Sequence, residues 1–183
     1  MRRKLFITAL LFALAAAALA PFNRSKAAAQ GANIPANGFF AADKAQQGRT
    51  VQAAVVLDIP KGFHVNANKP LGKFAIPTSV KIEAPKGISV GPVSYPRAVV
   101  RRLGFSEESL ALYEGRAVMR FNVTVPANFQ TGVTEIKARV RFQSCNDEVC
   151  FPPVTREVKM PIAVVGANQS VKRINGEYFS RRR

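Results

Sequence analysis

Glu135-Ile136-Lys137-Ala138-Arg139-Val140-Arg141-Phe142 alternates without a break, with Ile136, Ala138, Val140 and Phe142 on one side and Glu135, Lys137, Arg139 and Arg141 on the other. A period of two marks a strand, whose successive side chains point to opposite faces. An unbroken row of charges requires one face to meet water, so the other is core. The same period returns at Ala117, Met119, Phe121, Val123 and Val125. It recurs at Val51, Ala53, Val55, Leu57 and Ile59, set against Gln52, Ala54, Val56 and Asp58. Val80 and Ile82 show it briefly, and Val154, Val158 and Met160 more loosely. Pro60-Lys61-Gly62, Pro85-Lys86-Gly87, Gly91-Pro92, Pro126-Ala127-Asn128 and Gln130-Thr131-Gly132 fall between these runs as breakers. No stretch after residue 20 keeps a helical period. Short strands at this spacing predict an all-β, immunoglobulin-like β-sandwich as a single domain over residues 48–165. Residues 30–47, rich in Ala, Gly, Asn and Gln, keep neither period and read as a lead-in segment.

The chain has 183 residues, is 48% hydrophobic and 21% charged, and carries 27 Lys and Arg against 11 Asp and Glu. That apolar content is enough for a core and excludes a disordered polycation. With one His and two Cys, a zinc or blue-copper centre lacks its ligands, so no metal or other cofactor is expected. The single His also leaves no hydrolase triad.

Met1-Arg2-Arg3-Lys4 followed by the apolar run Leu5 to Ala20 reads as a secretory signal peptide. As a helix that run covers roughly 24 Å, short of the roughly 30 Å hydrocarbon core, so cleavage rather than anchoring is expected. Pro21 obstructs the site after Ala20, which favours cleavage after Ala29 and a signal peptide of residues 1–29. The chain is thus expected in the periplasm or secreted. From Gly166 onward it turns polar and ends Arg181-Arg182-Arg183, so residues 166–183 read as a flexible basic tail. Weak contact of that tail with an anionic membrane surface is a second reading, at about 1 kcal/mol per basic residue near the headgroups. No clustered basic and aromatic stripe marks the body, so nucleic acid is not an expected partner.

Export puts Cys145 and Cys150 in an oxidising compartment. They flank Asn146 to Val149, which forms a hairpin loop if the strand before it turns back, and the two cysteines then stand opposite each other. Opposed strand residues lie about 4.5–5.5 Å apart at Cα, within disulfide range. A loop this short gives a bridge only about 2 kcal/mol of stability, and a hairpin tip is open to in-line attack by a thiolate. An exchanging pair and a passive staple both fit the spacing, and the first two facts favour exchange. Asp147 and Glu148 disfavour a thiolate and should hold both thiol pKa values near or above about 8.5. Pro152-Pro153 fixes the chain after Cys150 and removes two donors.

Cys145-Asn146-Asp147-Glu148-Val149-Cys150-Phe151-Pro152-Pro153, preceded by Gly62-Phe63-His64-Val65-Asn66-Ala67-Asn68-Lys69-Pro70 and Tyr113-Glu114-Gly115, resembles the N-terminal periplasmic domain family of the thiol:disulfide interchange protein DsbD. The likeness spans roughly residues 38 to 165. It implies an immunoglobulin-like sandwich whose cysteine pair takes electrons from a membrane-embedded donor and exchanges them with thioredoxin-fold redox proteins. It also implies an aromatic cap over the pair. By order along the chain Leu103-Gly104-Phe105-Ser106-Glu107-Glu108 matches the cap, with Phe105 as the shielding ring and Tyr113, Asn66, Asp147, Glu148 and Pro152 as supporting residues. The best-known members have five residues between the cysteines, where this chain has Asn146 to Val149. The sequence shows no later apolar run of about 20 residues, so the membrane donor is expected to act in trans.

A thiol:disulfide interchange module with oxidoreductase-like activity is the leading reading. A non-catalytic exported β-sandwich binding module with a structural disulfide is the alternative. His64 reads as a structural hydrogen-bonding residue rather than a base.

Overall fold

A computed structural model describes residues 33–180. Residues 1–29, expected from the sequence to be a signal peptide, and the terminal Arg181-Arg182-Arg183 lie outside the described residues.

Three antiparallel-rich sheets build the sandwich. The first contains β1 (Ala36–Phe40), β3 (Thr50–Asp58), β9 (Arg116–Thr124) and β6 (Ser89–Val90), in the order β1-β3-β9-β6. The second is β2-β12-β10-β5, from Lys44–Gln46, Val154–Val165, Gly132–Phe142 and Ser79–Glu83. The third and smallest is β11-β4-β8-β7, from Ser144–Cys145, His64–Asn66, Leu110–Tyr113 and Val99–Arg101.

The alternation in β10 orients it as the sequence demands. Ile136, Ala138, Val140 and Phe142 are fully buried, while Arg139 and Arg141 are exposed. Ala117, Met119, Phe121 and Val123 of β9 join the same core, together with Val51, Ala53, Val55 and Leu57 of β3. β10 and β12 pair along their whole lengths, from Gly132↔Val164 to Phe142↔Val154.

In three places the structure departs from the sequence reading. Residues 30–47 were read as an irregular lead-in, yet β1 and β2 lie there, at the edges of the two large sheets. Gly38 explains why β1 escaped a pattern search. A Cβ built on it would stand 2.4 Å from Met160 Cγ and 2.9 Å from Val158 Cγ1, so the bare backbone lets β1 close over β12. Contact here required a missing side chain, which carries no hydrophobic signal.

The second departure is in β3, where Ala54 and Val56 are fully buried although they share the outward face with Gln52 and Asp58. The third departure accounts for it. Residues 166–180, expected to form a solvated tail, run back across the sandwich. The Ile174 N–H donates to the Ala41 carbonyl at 3.1 Å, Asn175 Nδ2 to the Phe40 carbonyl at 3.0 Å, and the Asp43 N–H to the Lys172 carbonyl at 3.0 Å. A short helix, α1 (Gly176–Phe179), follows Asn175, whose backbone is left-handed at φ 55°. Tyr178 in α1 stacks on Phe39, and the Arg116 guanidinium carbon lies over the Tyr178 ring, 5.5 Å from its centroid. Phe39, Ala54 and Arg120 share one register row across β1, β3 and β9, so the tail covers the outer face of that sheet.

Candidate functional site

The hairpin from β10 to β12 is interrupted by residues 143–153, which leave the second sheet and add β11 to the edge of the third. Ser144 pairs with Val65 and Cys145 with His64. The chain then reverses at once. Asn146 Oδ1 accepts the backbone N–H groups of Glu148 at 2.9 Å and Val149 at 2.7 Å, closing the loop with its own side chain.

Cys145 and Cys150 face each other as expected and are joined in a disulfide. Their Cα atoms are 3.9 Å apart, closer than the 4.5–5.5 Å anticipated. The pair lies between the bonds Phe151 N–H to Ser144 C=O, 2.8 Å, and Asn146 N–H to Val149 C=O, 2.9 Å. That makes it the narrow, non-hydrogen-bonded kind of opposed pair, in which the two strands approach most closely.

The two sulfurs have different surroundings. Cys145 is 0% exposed and forms a small apolar cluster with Leu103, Leu110 and Leu112. Cys150 is partly exposed and lines a pocket of about 310 Å³ with Asn66, Phe74, Phe105, Leu110 and Gln143. Phe105 is 42% exposed and Phe74 85% exposed, at the mouth of that pocket. The buried shield over the bridge is thus aliphatic, whereas Phe105 stands beside Cys150 and half in water. Leu110 and Leu112 belong to the continuous apolar run Leu110-Ala111-Leu112-Tyr113 of β8, and only the pairing of the third sheet brings them to the cysteines.

Residues 102–109, which hold the expected cap, link β7 to β8 and fold into a turn with the Ser106 N–H on the Leu103 carbonyl at 3.0 Å. It approaches the hairpin tip closely: a Cβ on Gly104 would stand 3.0 Å from the Asp147 carbonyl oxygen. Asp147 and Glu148 both project into solvent from that tip.

His64 ties the tip to the body. One ring nitrogen, Nδ1, is 3.1 Å from Glu114 Oε1 and the other, Nε2, is 3.3 Å from Asp147 Oδ1. Arg101 in turn holds Glu114, with Nη2 donating to Oε2 at 3.0 Å. The structural hydrogen-bonding reading of His64 fits these contacts.

Tyr113 is buried, and its hydroxyl donates to Asn68 Oδ1 at 2.6 Å while accepting the Asn68 N–H at 3.1 Å. Burial pushes its phenol above the ordinary value of 10.0, opposed by that N–H. Tyr113 therefore fixes the end of β4 and the start of the loop over residues 67–78. Asn66 is buried next to the site, and Pro152 is exposed just after the hairpin.

Gln143 is the residue that sequence reasoning missed. Its Oε1 accepts Asn66 Nδ2 at 2.9 Å and the Ile76 N–H at 3.2 Å, and its Nε2 donates to the Phe151 carbonyl at 3.1 Å. It joins β4, the 67–78 loop and the chain after Cys150. A glutamine between Phe142 and Ser144 gives no periodic signal that would mark such a hub.

Among the described residues no group of three or more His, Cys, Asp or Glu is placed to hold a metal ion. No described helix is long and apolar enough to cross a membrane.

The sequence matches the family model described as the N-terminal part of the thiol:disulfide interchange protein DsbD, over residues 35–162. No curated protein matches the chain. Among solved structures, the reduced DsbD N-terminal domain of Neisseria meningitidis aligns at 18% identity and TM-score 0.43, covering 76% of this chain and 88% of that one. The N-terminal periplasmic domain of ScsB from Proteus mirabilis aligns at 10% identity and TM-score 0.44, covering 71% of this chain and 45% of that one. A type I cohesin from Pseudobacteroides cellulosolvens aligns at 13% identity and TM-score 0.39, covering 72% and 92%.

Proposed function

This chain belongs to the family of DsbD N-terminal domains, thiol:disulfide interchange modules that work with thioredoxin-fold redox proteins in the periplasm, and from that premise we propose that Cys145 and Cys150 are its exchanging pair, with Cys150 the sulfur that partners attack. The observation carrying this reading is the asymmetry of the bridge: Cys145 is sealed among leucines, and Cys150 faces a pocket.

Exchange requires a thiolate to approach along the S–S axis. An incoming thiolate bonds to Cys150 Sγ, and the Cys145 sulfur leaves with the bonding electrons and takes up a proton. The partner's second thiolate then attacks the partner sulfur of the mixed disulfide and releases Cys150, which is protonated in turn. The partner dithiol becomes a disulfide and the Cys145–Cys150 bridge becomes a dithiol. The same steps reversed pass both electrons on. A membrane-embedded donor supplies the electrons, and Phe105 with its loop screens the Cys150 side between encounters. Tyr113, Asn66, Asp147, Glu148 and Pro152 hold the surrounding loops.

Residues 1–29 act as the export signal, on the strength of their basic start and apolar run. The exposed side chains of Lys172 and Arg173 leave the C-terminal segment able to touch an anionic surface weakly; salt-sensitive binding to anionic vesicles, lost on truncation of the segment, tests that part.

The deciding experiment uses a purified thioredoxin-fold protein whose resolving cysteine is replaced and whose remaining cysteine is first converted to its mixed disulfide with thionitrobenzoate, which leaves as a thiolate when a thiol of this chain attacks. Cys150, left alone in Cys145→Ser, should form a mixed disulfide with it, and Cys150→Ser should not. The alternative, a binding module with a structural staple, predicts no adduct with either variant and a potential below about −300 mV.

A further inference from the structure

Asn66 is 1% exposed, and its Oδ1 is a buried acceptor with no donor among the described residues. Its orientation is fixed by its neighbours. The Ile76 N–H identifies the Gln143 atom it meets as the oxygen, and the Phe151 carbonyl identifies the other as the nitrogen. The Asn66 atom 2.9 Å from Gln143 Oε1 must then be the donor Nδ2, and Oδ1 is the atom left without a partner. The Thr78 hydroxyl is committed to the Asn66 main-chain carbonyl at 2.5 Å. A buried acceptor left unpaired carries a cost of about 1–3 kcal/mol, so natural folds seldom leave one without reason.

The reason lies in what else lines the same pocket. Cys150 and Asn66 share its wall. In the disulfide neither sulfur bears a proton. Reduction by a dithiol delivers two electrons and two protons, breaks the S–S bond and creates two S–H donors. We propose that Asn66 Oδ1 accepts the Cys150 S–H in the reduced protein, so that reduction satisfies an acceptor which the oxidised protein leaves unpaired. The inference rests on the reading that this pair cycles. Its consequence is directional. A hydrogen bond made only to the neutral thiol favours the dithiol over the disulfide and disfavours the Cys150 thiolate. Asn66 thereby biases the module toward accepting electrons.

The test is the equilibrium constant for reduction of the full chain by dithiothreitol, in wild type and in Asn66→Leu, with the unfolding stability of each oxidation state measured alongside. Loss of a hydrogen bond formed only in the dithiol should shift the constant about five- to tenfold toward the disulfide. Loss of the Nδ2 bond to Gln143 affects both oxidation states and cancels. An unchanged constant, with both states destabilised equally, would overturn the proposal and leave Asn66 a structural amide or the seat of a buried water. Infrared spectroscopy of the reduced wild type needs no variant: one S–H stretch should move to lower frequency than in the unfolded protein, and two unshifted bands would also overturn it. Neither measurement involves a protein partner, so failure of mixed-disulfide trapping and failure of this inference are separate results.

Discussion

Tyr178 lies against Phe39 with ring centroids 4.2 Å apart and planes inclined by 27°, which makes the C-terminal segment part of the folded body. The relationship joins residues 139 positions apart in sequence, and the Arg116 guanidinium adds a second contact to the same tyrosine ring. Beneath this strap, Ala54 and Val56 are dry.

Deleting residues 166–183 should therefore lower the unfolding free energy, by roughly 2–4 kcal/mol for the lost apolar burial and stacking. Tyr178→Ala alone should account for about half of that. Denaturant unfolding measures both. The rate of disulfide reduction by a small thiol should stay unchanged, since the strap lines a different part of the surface from Cys150.

Phe105 and Leu103 sit in one short turn but should respond in opposite ways. Phe105→Ala removes a half-exposed ring from the mouth of the Cys150 pocket, and should speed reduction by a small thiol severalfold at a cost under about 1 kcal/mol. Leu103→Ala opens a cavity against the Cys145 cluster and should cost about 2–4 kcal/mol. Stopped-flow reduction and equilibrium unfolding of both variants provide the comparison.

His64→Ala removes the link between Asp147 at the hairpin tip and Glu114 in the body. Its larger effect should be local: faster exchange of the Asn146–Val149 amides with solvent, and a global loss of about 1 kcal/mol, because the Asp147 contact lies in water. Hydrogen exchange of that loop measures it.

Gly38→Ala places a methyl group where Met160 and Val158 already stand. Overpacking at this site should cost about 1–3 kcal/mol, read as a lowered denaturation midpoint.

Tyr113 gives a pH signature. Its folded-state pKa lies above the unfolded value of 10.0, so its contribution is complete below that value and is lost as the pH rises through the folded value. In an unfolding titration Tyr113→Phe should be less stable at neutral pH, by about 1–3 kcal/mol for the lost pair of bonds with Asn68, and should lack this residue's part of the alkaline decline.

Some features of this protein follow from sequence alone, because they depend on residues close together along the chain. The alternation from Ile136 to Phe142 decides which side of β10 is dry whatever that side touches. The spacing of Cys145 and Cys150 allows a bridge across one reversal, and Asn146 supplies the reversal from its own side chain. Other features depend on surfaces that meet only when the sheets close. Gly38 is silent in a pattern search because its role is to have no side chain where β1 crosses β12. Ala54 and Val56 are buried by a strap whose own sequence is polar, since its hold comes from backbone hydrogen bonds and one tyrosine rather than from a periodic apolar face. Asn66 lies 77 positions before Gln143 in the chain, and Gln143 and Cys150 stand on either side of the hairpin reversal. Only the pairing of β4 with β11 brings them to one pocket, and there the burial of a single amide oxygen acquires a chemical consequence.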